Sequence, residues 1–377
     1  MATDLTSPIS PGMWALAWRR LRADRVAVVS LAVVLLFLLM LVLSAIGLIA
    51  ADWNDEVGVS YAPPSFIGAQ AAQGHAMSSQ PEAPPPENPV DPLKDILREL
   101  RADMAGAVPP ANEAAGQGAD SDYGIADPLE KELAEIRSDL SKAGVKTVKE
   151  RRQTLPFGAD KWGHDIIKKT IKGAETSIVV GLVSAFLATL LGTLFGALAG
   201  YFGRWVDDFF NWFYSVFTSV PYLLLILAVA AVLQKKGVLT IVLILGLTGW
   251  TGVFRLVRAE YMKHKAREYV MAADAIGASH WSRMFSHIFP NVSHVSLVQM
   301  SILAVGFIKS EVILSFLGFG VPVGVVSWGS MLNEAQNELI LGKWWQLTAA
   351  TVAMAVLITA FSLFTDGLRD ALDPKLK

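Results

Sequence analysis

Five stretches of this chain carry no Asp, Glu, Lys or Arg and are long enough to cross a hydrocarbon layer: 26–51, 176–203, 209–234, 237–254 and 344–365. A sixth, 291–318, is interrupted only by Lys309 and Glu311. A bilayer core of about 30 Å needs roughly 20 helical residues to span it. Inside that layer every backbone N–H and C=O must be satisfied within the segment, which selects helices. The expected fold is therefore all-α: a polytopic membrane protein with six transmembrane helices. Composition agrees, since 18% of residues are charged where soluble domains average about 25%.

Cationic residues orient the spans. Arg19, Arg20, Arg22 and Arg25 precede the first, and Lys/Arg concentrate on the cytoplasmic side of membrane proteins. Alternation then places Arg204 inside, with the loop bearing Arg255, Arg258, Lys263, Lys265 and Arg267, and the tail bearing Arg369, Lys375 and Lys377. Lys235 and Lys236 are exceptions. Residues 1–25 and the 367–377 tail are both expected in the cytoplasm. The first apolar run exceeds the roughly 7–15 residues of a signal-peptide core, which favours an uncleaved anchor. Pro221 falls within the third span and is expected to kink it.

Between the first two spans lies a long extracytoplasmic segment, 52–175. Its middle is rich in Pro, Gly and Ala, as in "PEAPPPENPVDP". Two pieces, "DPLKDILRELRADM" (91–104) and "DPLEKELAEIRSDL" (127–140), share a Asp-Pro-Leu opening and one apolar stripe each. Asp at the N-cap and Pro at the first helical position favour a helix start, so two short amphipathic helices are expected. They cover each other, cover the membrane domain, or contact an extracytoplasmic partner.

The loop 258–290 is too polar to span, yet it is not irregular. In "EYVMAADAIGASHWSRMFSHIFPN" (268–291), Tyr269, Ala272, Ala273 and Ile276 share one helical face. Gly277 stands where a helix terminus requires positive φ, Ser279 suits a cap for the next turn, and Pro290 is expected to stop the second arm. A face of alanines allows close backbone approach, as when a short helix docks into a groove on another protein. An interfacial helix lying in lipid headgroups would carry bulkier apolar residues.

These residues resemble the EAA loop of binding-protein-dependent ABC importer permeases. Glu268, Ala272, Ala273, Gly277, Ile288 and Pro290 match its pattern, and Phe289 stands where Leu is usual. "FGADKWGHDIIKKTIKGAETSIVVG", "SEVILSFLGFGVPVGVVSWGSML" and "DGLRDALDPKL" extend the resemblance to the C-type subunit of dipeptide/oligopeptide permeases. The resemblance implies a coupling helix, with Glu268, Tyr269, Ala272, Ala273, Gly277, Ala278, Ile288 and Pro290 as its ATPase-coupling residues. It implies a bacterial cytoplasmic (inner) membrane location and a core spanning 176–366. The expected partners are a second permease subunit, two ATPase subunits that hold ATP and Mg2+, an extracytoplasmic solute-binding protein and membrane lipid. Peptides, nickel, glutathione, opines and peptide antibiotics are all substrates that such permeases carry. The chain departs from the pattern in its 54–150 insertion, in Lys309 at a commonly apolar position, and in His164 where Arg is usual.

Other chemistry finds little support. There is no cysteine and the net charge is −2, which removes thiol sites and any electrostatic case for nucleic acid. No phosphate-binding G-x-x-x-x-G-K-[ST] motif occurs. No catalytic residue, cofactor site or metal site is expected in the chain itself. Lys309 and Glu311 lie about 27–30 Å along a helix from Asn291, which places both at the outer interface as candidate gate or outer-face residues. Gly192, Gly196 and Gly200 form a small-residue row suited to close helix contact, within the chain or with another subunit. An ATP-independent secondary transporter or channel is the alternative class; it more often shows inverted repeats and ionisable residues near the midplane.

Overall fold

The computed structural model describes residues 13–68 and 151–372. The two expected amphipathic helices at 91–104 and 127–140 lie outside those residues. The described residues form helices joined by short loops, with isolated β-bridges but no strand. In chain order they are α1 (Met13–Ala23), α2 (Arg25–Ala45), α3 (Ile166–Phe202), α4 (Arg204–Thr218), α5 (Tyr222–Leu233) and α6 (Val238–Thr248). Then follow α7 (Thr251–Lys265), α8 (Glu268–Ala275), a π-helical turn (Ser282–Ile288), α9 (Phe289–Phe316), α10 (Trp328–Ile340) and α11 (Trp345–Leu372).

Five helical stretches are long and apolar enough to cross a membrane: α2, α3, α6 with α7, the π turn with α9, and α11. A sixth is counted if α4 and α5 are one span, but they meet at a bend of 83°. The expected single kinked helix at 209–234 is thus corrected to two helices. Pro221 lacks the N–H a continuous helix would need, and its φ of −54° and ψ of 130° put it outside helical geometry.

α3 is the central post. Gly192, Gly196 and Gly200 face α7 at van der Waals range. A Cβ on Gly192 would sit 2.6 Å from Trp250 O, and one on Gly200 2.6 Å from Arg258 O. The small-residue row therefore serves packing within the chain. An aromatic cluster seals the neighbouring seam, with Trp250 stacked on Phe213 at 5.3 Å and edge-on to Phe195 at 5.3 Å. Asp207 of α4 accepts from Arg258 of α7 at 2.5 and 2.6 Å, tying these helices at one end. α1, which span-counting does not anticipate, lays Ala17 and Leu21 against Ala371 and Leu372 at the end of α11.

At the opposite end, residues 57–65 meet 152–163 in parallel bridges, Gly58 with Arg152 and Pro64 with Leu155. Ala62, Leu155 and Ala159 are buried between them. The bases of the long segment are thus joined next to α3, whose first turn starts at Ile166, ten residues before the uncharged run.

Candidate functional site

The loop between α7 and α9 is built around one short helix. Arg267 enters in extended conformation and Glu268 follows in the first turn of α8, where a negative charge is favoured by the helix dipole. The helix closes on Gly277, whose φ is +83°. Gly277 N–H donates to Asp274 O at 2.9 Å and Ala278 N–H to Ala273 O at 3.0 Å. These bonds satisfy carbonyls that the helix end leaves open, and glycine reaches this φ without strain. Ser279 Oγ then accepts from Ser282 N–H at 3.2 Å, capping the next turn.

The face that anchors α8 differs from the one the periodicity suggested. Val270 and Ala273 are buried, in a cluster with Ala197, Tyr201, Val253, Val257, Tyr261, Met284, Ile288 and Val292. Tyr269, Ala272 and Ile276 are exposed, with Met271 beside them, and Ile276 is 83% exposed. Trp281 and Phe285, stacked at 5.6 Å, continue this uncovered surface. Sequence reading grouped Ala273 with the outward residues because alanine is small enough to serve either side. Val270 was the available signal, being the one β-branched residue within α8 itself.

Hydrogen bonds lock the loop to the bundle. Lys265 Nζ donates to Tyr201 O at 2.6 Å, and Tyr201 Oη and His280 Nδ1 lie 3.0 Å apart. Tyr269 Oη meets His264 Nδ1 at 2.8 Å. Arg283 pairs with Asp274. Pro290 does not end the second arm: it sits in the first turn of α9, and the chain runs through from Ser282 to Phe316. The preceding turn widens to π geometry, with Phe289 N–H reaching back to Met284 O, which Tyr261 Oη also approaches at 3.2 Å. A π turn accommodates a proline ring that would clash in a regular helix. Ile288 is fully buried and Ala278 is half-buried in this arm.

Lys309 and Glu311, expected together at the outer interface, are separated. Lys309 is exposed. Glu311 is 0% exposed, buried between helices. Its carboxylate accepts from Ser177 Oγ at 2.6 Å and Ser315 Oγ at 2.7 Å, and Ser177 Oγ in turn accepts from Trp328 N–H at 3.2 Å. Two residues along a helix turn the side chain by about 200°, so one faces out and the other joins α3, α9 and the start of α10.

Sequence reading missed a polar cluster near the bridged end. Lys169 Nζ donates to Asp160 Oδ2 and Glu334 Oε2, both at 2.6 Å, and lies 3.4 Å from Gln346 Oε1. Asp160 Oδ1 also accepts from the N–H groups of Trp162 (2.8 Å) and His164 (3.0 Å), and its Oδ2 lies 2.9 Å from His164 Nδ1. Burial pushes the Asp160 carboxyl up, but Lys169 outweighs it and holds it below its ordinary value. Glu338, on α10, is buried and neither carboxylate oxygen has a hydrogen-bond partner. Burial pushes it up to about 7; Lys169 opposes the rise, and Asp160 and Glu334 add to it. The local signal was weak: Lys169 is one of four charged residues, with Lys168, Lys172 and Glu175, in the first turns of α3 ahead of its uncharged run.

A bundle of helices long and apolar enough to cross a membrane, with a capped, outward shoulder between two of them, defines a multi-pass membrane protein. A family model for the binding-protein-dependent transport system inner membrane component matches residues 192–377, and one for the N-terminal TM domain of oligopeptide transport permease C matches residues 12–64. The dipeptide transport system permease protein DppC of Bacillus subtilis (strain 168) is 35% identical over 65% of this chain and 78% of its own length. The oligopeptide transport system permease protein OppC of the same organism is 36% identical over 59% of this chain and 72% of its own. The glutathione transport system permease protein GsiD of Salmonella paratyphi A (strain ATCC 9150 / SARB42) is 38% identical, with the same coverage of 59% and 72%. The chain belongs to the inner-membrane permease family of binding-protein-dependent ABC importers.

Proposed function

We propose that this chain is one half of the translocation pathway of an ATP-driven importer of peptides or a related small solute, coupled through α8 to a separate ATPase. The observation that carries this reading is the two-sidedness of α8. Val270 and Ala273 pin it to a core shared with α3, α7 and α9, while Met271, Ala272 and Ile276 stay uncovered. A short helix rigidly joined to two long ones transmits a push as a rigid body. The substrate class rests on the relatives named for dipeptides, oligopeptides and glutathione. In this reading α8 and both termini face the cytoplasm, ATP and Mg2+ are held by two partner ATPase subunits, and a second permease and a solute-binding protein complete the complex.

The test is co-purification with its ATPase partners. Met271→Asp with Ile276→Asp, which changes only exposed side chains, is expected to abolish ATPase binding while the chain still inserts. Transport of peptide by the chain alone in liposomes on addition of ATP would make the reading wrong.

A further inference from the structure

Beside the loop, but not on the exposed face of α8, a cavity of about 650 Å³ opens between α7, α9 and the end of α11. Its wall carries Lys263, His264, Arg267, His294 and Arg369, against a single acid, Glu260. That acid is already engaged: Glu260 Oε2 lies 3.0 Å from Lys263 Nζ and 3.6 Å from His264 Nε2. Among the described residues Arg267 and Arg369 have no carboxylate partner. His294 Nδ1 is buried without a hydrogen-bond partner. Two cations without a carboxylate partner, Arg267 and Arg369, thus share one space with the Lys263–Glu260 pair, and its lining also includes the apolar Leu256, Val295 and Leu372.

We propose that this cavity binds a phosphate-bearing anion, the headgroup of an anionic lipid. Arg267 and Arg369, sharing one space without anions of their own, repel one another, and a phosphate relieves that repulsion while offering acceptors to both guanidinium groups. A free phosphate would leave the apolar wall in contact with water. A lipid uses it, because the cavity is lined where the uncharged runs of α7, α9 and α11 give way to charged residues. Basic pockets between membrane helices on one side of the bilayer are suited to such headgroups. A zwitterionic headgroup would bring its own cation into an already cationic space.

The full-length chain purified in neutral detergent tests this by its unfolding midpoint. Short-chain phosphatidylglycerol is expected to raise the midpoint by about 3 °C or more, and short-chain phosphatidylcholine to leave it unchanged. Arg267→Gln with Arg369→Gln is expected to lose most of the rise. Lys235→Gln with Lys236→Gln, removing equal charge at the other end, is expected to keep it. Arg369→Gln alone, outside the loop, provides the comparison if the double variant does not fold. An equal, arginine-dependent rise with sodium phosphate at matched ionic strength supports the anion site and assigns it to free phosphate. Equal stabilisation by both lipids, or an undiminished rise in the arginine variants, overturns the proposal.

Discussion

Glu338 and Gly277 show how a single position constrains this protein. Glu338 is a buried carboxyl that burial, above all, pushes up to about 7 from an ordinary value of 4.5. The native state therefore binds its proton more tightly than the unfolded chain does. Its stabilising contribution is complete below about pH 4.5 and is lost as pH rises through 7. The wild-type chain is expected to lose on the order of 1–3 kcal/mol across that window. Glu338→Gln, neutral at every pH, should show a flatter profile and a higher midpoint at pH 8; a parallel profile would exclude Glu338 as the titrating group. Asp160 does not confuse the measurement, because its pKa is lowered and its contribution disappears only in stronger acid. At Gly277, φ of +83° places any β-branched residue in a strained region. Gly277→Val should cost about 1–2 kcal/mol locally and abolish solute-stimulated ATPase activity, with normal membrane insertion seen by fractionation.

Among the elements, the contact between α3 and α7 depends most on sequence detail. It is close because three glycines expose backbone along one line. Gly196→Val would put a Cβ 2.9 Å from Phe254 O and 3.0 Å from Val257 Cβ. Backbone cannot give way as a flexible side chain does, so α7 must move outward and carry α8 with it. Such overpacking typically costs about 1–3 kcal/mol, and a lowered unfolding midpoint checks it. Gly306 of α9 is the control, since a Cβ there meets nothing within 4 Å; Gly306→Ala should leave the midpoint of the isolated chain unchanged. The π turn teaches a related lesson. Pro290 reads in sequence as a stop, yet a locally wider helix absorbs it and keeps the shoulder continuous with a membrane-crossing helix.

For the whole molecule, the long segment between α2 and α3 is an insertion into a unit that closes without it. Gly58 pairs with Arg152 and Pro64 with Leu155, and the contacts divide the chain into Met1–Ala69 with Arg151–Lys377 and, separately, Gln70–Glu150. Deleting 85–145 and joining the ends with a short Gly/Ser linker is expected to leave membrane insertion and unfolding midpoint unchanged. A lost or aggregated product in size-exclusion chromatography would show that the insertion is needed for the core.

Much of this protein is legible in one dimension. A bilayer imposes a rule on consecutive residues, so uncharged length alone locates most of the crossing helices, and glycine at a helix end declares its φ at Gly277. The tertiary structure decided what depends on distant neighbours. It broke 209–234 at Pro221, because no local rule says whether surrounding helices will hold a kinked span together or let it part. It turned Glu311 inward beside Ser177 while Lys309 stayed outside. It also brought Asp160, Lys169, Glu334 and Glu338 to one place, although two come from the start of α3 and its preceding loop and two from α10. Each of these charges alone reads as a surface residue. Only burial in common raises the electrostatic cost of isolation enough to make them a group.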